Sequence, residues 1–217
     1  MLMPNRLRIP LAGRVVSRIV APLAGYSDRV RENLALVCPD LPETEVARLV
    51  LAVPNNAGRT LIEIYSGDSF LRRFETATLT GPGVSALDAA HSAGRPVVLV
   101  TGHFGNYDAP RAALIAKGYP VGALNREMNN GYFNPHYVAA ISKIGEPVFP
   151  RGRKGLSGLI KFLRGGGMAG ILIDQYMTDG ADMTFFGQNA PTALSAAEIA
   201  LKYNALAVPV YGIRQPN

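Results

Sequence analysis

The stretch Pro96-Val-Val-Leu-Val-Thr-Gly-His103-Phe-Gly-Asn-Tyr-Asp108 reads as a strand, a glycine turn and the beginning of a helix. Residues 97–100 form a continuous apolar and mostly β-branched run, which is typical of a strand covered on both faces. Gly102 and Gly105 free the backbone around His103, and Asn106 is a suitable N-cap for a helix over 109–116. The succession predicts one strand-turn-helix unit of an α/β fold.

His103 and Asp108 are the candidate catalytic pair of this stretch. On a regular helix five residues turn through roughly 500°, so the two side chains can meet only if His103 lies in the turn and Asp108 in the first helical turn. A neutral imidazole can take a proton from a hydroxyl, and a carboxylate on its other nitrogen fixes the tautomer. Because no serine or cysteine here is placed as a nucleophile, direct attack by a substrate hydroxyl is favoured. On spacing alone, a core histidine and a helix-stabilising aspartate fit equally well.

Several blocks of the sequence together resemble the bacterial lipid A biosynthesis acyltransferases, a family with a His-x4-Asp/Glu block. The blocks are His103-Phe-Gly-Asn-Tyr-Asp108, Asn33-Leu34 with Cys38-Pro39-Asp-Leu-Pro42, Asn56-Ala-Gly-Arg59 with Glu63, and Asp174-Gln175 with Phe185-Phe186-Gly187-Gln188. The similarity runs from about residue 25 to the end, with Asp108 at a position where the family more often has glutamate.

The resemblance implies a reaction and a setting. A fatty acyl chain would pass from an acyl-carrier-protein thioester to a hydroxyl of a lipid A precursor, with His103 as the general base and Asp108 orienting its ring. Asn106, Arg126 or nearby backbone N–H groups would stabilise the oxyanion. Acyl carrier protein and a lipid A precursor or other membrane lipid would be the partners, and acyl-CoA is the alternative donor. No cofactor or metal is expected, and the implied location is the cytoplasmic face of the bacterial inner membrane.

The order of predicted elements supports an α/β fold with a mixed, largely parallel sheet flanked by helices, similar to the glycerolipid acyltransferases. Helices are predicted over 43–53, 56–76, 83–93, 107–117, 135–144, 156–164 and 193–203, and strands near 97–101, 120–124, 146–149, 168–173 and 206–212. Thr101-Gly102-His103, Asn125-Arg126 and Asp174-Gln175 each follow a predicted strand. Because sites gather at the carboxyl ends of parallel strands, these residues are expected to share one cleft. Asp174 and Gln175 are expected to order that cleft rather than to act chemically.

The length of 217 residues, of which 48% are hydrophobic, suits one domain with a sizeable core. We take residues 31–217 as a single acyltransferase domain, and we expect it to be truncated at its C-terminus because the chain stops in or just after a predicted strand. The lone Cys38 allows no internal disulfide, and the three histidines are too scattered for a zinc site.

Residues 1–30 are predicted to be a basic, amphipathic, membrane-proximal segment. Residues 1–33 hold six arginines and two carboxylates, and Arg14 and Arg18 form an i, i+4 pair within an apolar stretch. Such a pattern suits a helix in an anionic membrane interface, and it suits a surface helix packed on the domain equally well. The sequence contains no apolar run long enough to span a bilayer, and we expect no signal peptide because arginines interrupt the apolar stretch.

A second basic cluster runs from Arg151 to Arg164 and contains no acidic residue. Arg151 and Arg153 lie in a loop before a predicted helix, a place where guanidinium and backbone N–H groups can hold the phosphates of lipid A or of the carrier's phosphopantetheine. Nucleic acid is not expected, because no aromatic side chains are interleaved with the charges and no nucleic-acid-binding module is recognisable. A solvated basic face is the alternative.

Two other functions are compatible with the sequence. The first is a lysophospholipid or other glycolipid O-acyltransferase with the same chemistry, although Arg151 stands in Phe149-Pro150-Arg151-Gly152 where glycerol-phosphate acylating enzymes have glutamate. The second is an inactive membrane-surface binding module, against which the intact His103 and Asp108 pair argues.

Overall fold

The computed structural model of the protein describes residues 3–215, which form two compact units. The first unit comprises residues 3–66 and Met183–Ala190. The second comprises Gly67–Asp182 and residues 191–215. The predicted division into residues 1–30 and 31–217 stays a prediction.

The first unit is built from helices that pack closely along their lengths. They are α1 (Asn5–Val15), a π-helical turn (Val16–Val20), α2 (Ala21–Leu23), α3 (Tyr26–Val37) and α4 (Glu43–Ile64). α1 and the π-helical turn lie against α4. At Gly58 a Cβ atom would lie 2.7 Å from the side chain of Val16, so only glycine allows this approach of the two helices.

α4 corrects the prediction of two separate helices over 43–53 and 56–76, which left Pro54 between them. The helix continues through this proline, and Pro54 is buried. A proline inside a helix costs about 3 kcal/mol or more. The burial of Pro54 and the packing of α1 and α3 on α4 offset that cost. The second of the two predicted helices, over 56–76, therefore ends at Ile64 as part of α4, and the short α5 (Asp68–Leu71) follows.

The second unit contains a five-stranded sheet in which all described pairings are parallel. The strands of this sheet are β1 (Val97–Thr101), β2 (Val121–Asn125), β3 (Val148–Pro150), β4 (Met168–Leu172) and β7 (Leu206–Pro209). The strands β5 (Ala181–Phe185) and β6 (Gln188–Thr192) form a separate hairpin. The strand order in the sheet is β3-β2-β4-β1-β7, and β5 pairs with β6. The predicted α/β class is confirmed.

Helices cover both faces of this sheet. They are α6 (Val84–Ser92), α7 (Ala109–Ala116), α8 (Asn134–Ile144), α9 (Arg153–Arg164) and α10 (Ser195–Lys202). Leu87 of α6 and Leu114 of α7 share a core with Val97 and Leu99, whereas α9 and α10 share another with Val98. The helix between β1 and β2, α7, thus covers one face of the sheet. The helices α9, before β4, and α10, before β7, cover the other face, as right-handed crossovers require.

The β5–β6 hairpin was missed by the sequence analysis. Its turn places Phe186 and Gly187 at φ values of 50° and 73°. Glycine adopts this left-handed conformation easily, but phenylalanine does so rarely, so Phe186-Gly187 does not carry the usual signal of a hairpin turn. Within residues 3–215, no helix combines the length and the apolarity that crossing a membrane requires.

Candidate active site

The candidate site lies where four neighbouring strands of the sheet end. His103 follows β1, Arg126 follows β2, Arg151 follows β3 and Asp174 follows β4. Because the strands are parallel, these four loops meet at one edge of the sheet. The predicted convergence of the segments after β1, β2 and β4 is therefore present in the structure.

The loops surround a cleft of about 650 Å³ that lies entirely within the second unit. Its inner part is apolar and includes Leu99, Val121 and Ile141, all of which are buried. Its outer part is polar and includes Asn125, Arg126, Glu127, Asn129, Asn130, Arg151 and Gln175. The cleft therefore offers an apolar interior below a polar and charged rim.

His103 lines this cleft, and Asp174 holds it with both carboxylate oxygens. Nδ1 of the ring lies 2.8 Å from Oδ1 of Asp174, and the backbone N–H of His103 donates to Oδ2 at 2.6 Å. An ionised carboxylate only accepts hydrogen bonds, so Nδ1 carries a proton, and in the neutral ring the lone pair is therefore on Nε2. The arrangement is that of a general base whose tautomer is fixed by its carboxylate partner.

The register of β1 against β4 brings the two residues together. Thr101 pairs with Leu172, and the N–H of Ile173 donates to the carbonyl of Thr101 at 3.0 Å. Asp174 thereby lies beside Gly102, where a Cβ atom would be only 2.9 Å from Oδ2 of Asp174. Glycine at position 102 leaves the space that the carboxylate occupies.

The hydrogen bonds to His103 keep Asp174 ionised. Partial burial raises the pKa of this carboxyl, but the hydrogen bonds from the ring and from the backbone N–H of His103 lower it by more, so the pKa lies below its ordinary value. The side chains of His103 and Asp174 are 42% and 43% exposed, so the pair is open to a substrate.

Asp108 pairs with Arg111, whereas the sequence predicted that it would pair with His103. Nε of Arg111 donates to Oδ1 of Asp108 at 3.0 Å, and both side chains are buried. The two guanidinium NH₂ groups donate to the carbonyls of Ile141 and Gly145 at the end of α8, at 2.7 and 3.1 Å. Asp108 is the N-cap of α7 and Arg111 lies one turn later, so the helix itself brings them together.

Burial acts strongly on Asp108. It raises the pKa of the carboxyl above its ordinary value, while the charge of Arg111 and its hydrogen bond oppose the rise. Two tyrosines line the same side of the cleft, with the hydroxyls of Tyr107 and Tyr137 3.3 Å apart. Burial raises the pKa of both hydroxyls, so they remain neutral hydrogen-bonding groups near neutral pH.

The other predicted site residues fall into two groups. Arg126, Arg151 and Gln175 line the cleft, as do His103 and Asp108. Asn106 is buried, does not line the cleft within the described part of the chain, and accepts the N–H of Asp108 through its side-chain oxygen at 3.1 Å. It closes the turn before α7 instead of capping the helix.

Arg153 is the remaining predicted residue. It is exposed at the first position of α9 and does not line the cleft as described for residues 3–215. Its predicted contact with phosphate stays a prediction, as does the catalytic role of each residue named above.

Arg111, Tyr107 and Tyr137 were not predicted from the sequence as residues of the site. A signal for Arg111 is its position three residues after Asp108 on an otherwise apolar helix, where an unpaired charge would be costly to bury. The tyrosines carried no comparable signal, because Tyr137 reaches Tyr107 from another helix.

The sequence was compared with protein families and with curated proteins. No curated protein matches it. The family model described as bacterial lipid A biosynthesis acyltransferase matches residues 1–217. Since the match covers all of the sequence, the chain belongs to the bacterial lipid A biosynthesis acyltransferase family.

Proposed function

We propose that the protein transfers a fatty acyl chain from an acyl-carrier-protein thioester to a hydroxyl of a lipid A precursor, with His103 as the general base. The observation that carries the proposal is the pair of hydrogen bonds from His103 to Asp174, which leaves Nε2 free as a proton acceptor at an open cleft. Membership of the lipid A biosynthesis acyltransferase family supports the class of acceptor.

The proton transfers of the reaction balance on Nε2 of His103. The imidazole takes the hydroxyl proton as the acceptor oxygen attacks the thioester carbonyl, and Asp174 stabilises the imidazolium through Nδ1–H. When the tetrahedral intermediate collapses, the carbon–sulfur bond breaks and the imidazolium returns its proton to the leaving thiolate. The products are an ester and a free thiol, and His103 is neutral again.

The apolar interior and the charged rim of the cleft suit the acyl chain of the donor and the phosphates of the acceptor, respectively. The apolar interior can bury a hydrocarbon chain, which favours binding by roughly 0.8 kcal/mol for each buried methylene. Arg126 and Arg151 on the rim can pair with phosphates of the acceptor, and Arg126 can also stabilise the oxyanion.

Asp108 acts in this proposal as a positioning residue. By pairing with Arg111 it holds the guanidinium against the end of α8, the helix that carries Tyr137 and Ile141 into the cleft wall. The chemical step then depends on Asp174, and the shape of the cleft depends on Asp108.

The proposed location is the cytoplasmic face of the bacterial inner membrane, with the helices of residues 5–23 in the interface. An apolar stripe repeats there every four residues, through Leu7, Leu11, Val15, Ile19 and Leu23, and these side chains are between 40% and 86% exposed. Arg6, Arg14 and Arg18 are exposed on the same segment. An amphipathic helix with arginines beside its apolar stripe lies in an anionic membrane surface.

The test offers the purified protein acyl-acyl carrier protein together with either a tetra-acylated lipid A precursor or a lysophospholipid. Products are identified by mass spectrometry, and the His103→Ala variant is run alongside. We expect the lipid A precursor to gain one acyl group and the variant to lose this activity. Acylation of the lysophospholipid alone would move the protein to the other acceptor class. If neither acceptor gains mass, the reading as a membrane-surface binding module replaces the proposal.

A further inference from the structure

The outer face of α9 carries four exposed cations, namely Arg153, Lys154, Lys161 and Arg164. At 100° per residue they fall within an arc of about 100° on the helix surface. We call this arc the basic face of α9. None of the four forms an ion pair with another residue in the described part of the chain, and residues 147–173 contain no carboxylate. The face is an unneutralised positive surface.

The opposite face of α9 is already occupied. Leu159 and Leu163 are buried against the sheet in the core that contains Val98. The ring of Phe162 packs on that of Phe149. An interfacial membrane helix inserts its apolar face into the lipid, but α9 uses its apolar face to cover the sheet. Only its charged face remains for a partner.

α9 leads away from the rim of the cleft. Arg151, two residues before the helix, lines the cleft, and its backbone N–H donates to the carbonyl of Asn125 at 2.7 Å. The 12 residues of α9 span about 18 Å. Lys161 and Arg164 lie in the last turn of the helix, too far from the rim for a phosphate in the cleft to reach. A partner that contacts the whole face must be an extended macromolecular surface that also reaches the cleft.

We propose that the basic face of α9 is a docking surface for an acidic protein, namely the carrier that presents the acyl thioester. The inference rests on the proposed function, because it takes the donor to be bound to a carrier protein. A negatively charged helix laid along α9 would neutralise the four cations and point its thioester arm towards Arg151 and the cleft. Complementary charges of this kind raise the rate of encounter by about 10- to 1000-fold.

The test reverses three charges in the variant K154E/K161E/R164E and leaves Arg153 in place. A matched control, K117E/K143E/K202E, changes three exposed lysines outside α9 and gives the same net charge. Steady-state rates are measured with acyl-acyl carrier protein and with S-acyl pantetheine, and binding of the unacylated carrier is measured by titration calorimetry. We expect the α9 variant to raise the KM and the Kd for the carrier by about tenfold or more. Its kcat and its rates with S-acyl pantetheine should change by less than about twofold, and the control should behave like the wild type.

The other outcomes distinguish a failure of the docking surface from a failure of the proposed function. If the wild type uses the carrier and the α9 variant binds it equally well, or if the control weakens binding as much, the docking surface is wrong while the proposed function stands. If the wild type neither binds nor uses the carrier but accepts acyl-CoA, the donor in the proposed function fails, and this inference fails with it. If the α9 variant loses binding to anionic phospholipid vesicles instead, the face belongs to the membrane. Should the triple reversal not fold, the neutral variant K154Q/K161Q/R164Q replaces it.

Discussion

Replacing Asp174 by asparagine should invert the tautomer of His103. The backbone N–H of His103 can only donate, so the amide oxygen of Asn must take the place of Oδ2, and the amide NH₂ then faces Nδ1 at the position of Oδ1. An NH₂ group donates to Nδ1, which must become an acceptor, and the ring proton moves to Nε2. The nitrogen that faces the cleft then has no lone pair with which to take the acceptor's proton.

The size of the effect follows from the loss of the base. General-base catalysis contributes about 10²- to 10⁴-fold to the rate, and inverting the tautomer in a serine protease triad costs about 10⁴-fold. We therefore expect kcat/KM of Asp174→Asn to fall by about 10³-fold, or about 4 kcal/mol in the activation free energy. The KM for either substrate should change little, because Asp174 does not line the cleft as described.

Asp108→Asn is the matched comparison, because it makes the same chemical change at the carboxylate of the His-x4-Asp block. Arg111 is 5% exposed and would lose its counter-charge, so the protein should lose roughly 3 kcal/mol of unfolding free energy. The His103–Asp174 pair stays intact, so kcat/KM of the folded variant should fall less than about tenfold. Low temperature and an excess of substrate keep the variant folded during the assay.

The assay measures initial rates with acyl-acyl carrier protein and the lipid A precursor, together with chemical denaturation of each variant. If Asp174→Asn keeps a third or more of the wild-type kcat/KM, Asp174 does not set the tautomer of the base. If Asp108→Asn loses as much activity as Asp174→Asn at full stability, Asp108 acts on the chemistry directly and is not a positioning residue.

Three further outcomes are expected. Arg151→Ala should raise the KM for the lipid A precursor by about 10- to 100-fold with little change in kcat, because a charged hydrogen bond contributes about 1.5–3 kcal/mol; saturation kinetics with the acceptor varied will check this. Gly155→Ala should lower stability by about 2 kcal/mol or more, since its Cβ would overlap the carbonyl oxygen of Pro150, and a Tm equal to that of the wild type would contradict the close packing. Asp174 has a lowered pKa when folded, so it stabilises the protein above its unfolded pKa of about 3.9 and loses this contribution as the pH falls through the folded value. Thermal unfolding between about pH 6 and pH 3 should therefore show a smaller loss of Tm for Asp174→Asn than for the wild type.

The sequence predicts the sheet and the place of the site well, because both depend on local patterns. The run at 97–100 and the strands around Gly122 and Gly170 are short apolar segments with helices between them, and this alternation implies parallel strands whose ends meet. His103, Arg126 and Asp174 follow such strands, so their convergence needs no knowledge of strand order.

The hydrogen-bond partner of His103 could not be predicted from local sequence patterns in this way. Asp108 is five residues away in the chain, but Asp174 is brought closer by the pairing of Thr101 with Leu172. The sequence of β1 alone does not determine that β4 is its neighbour or in which register the two strands pair, and the same holds for β4. The i, i+3 spacing of Asp108 and Arg111 was in the sequence, but its meaning depended on knowing that both side chains are buried.

The separate roles proposed for the two carboxylates follow from their surroundings. Asp174 lies half exposed at the end of β4 and accepts two hydrogen bonds, which favour its ionised form, the form that must stabilise an imidazolium. Asp108 is buried at the start of α7, where burial opposes ionisation and a cation is needed beside it. Such different environments for the two carboxyls favour the proposed division, in which Asp174 takes part in the chemistry and Asp108 positions the cleft wall. The proposed mechanism therefore assigns Asp108, through Arg111, to the packing of α7 against the end of α8, and takes the carboxylate partner of the base from the end of β4.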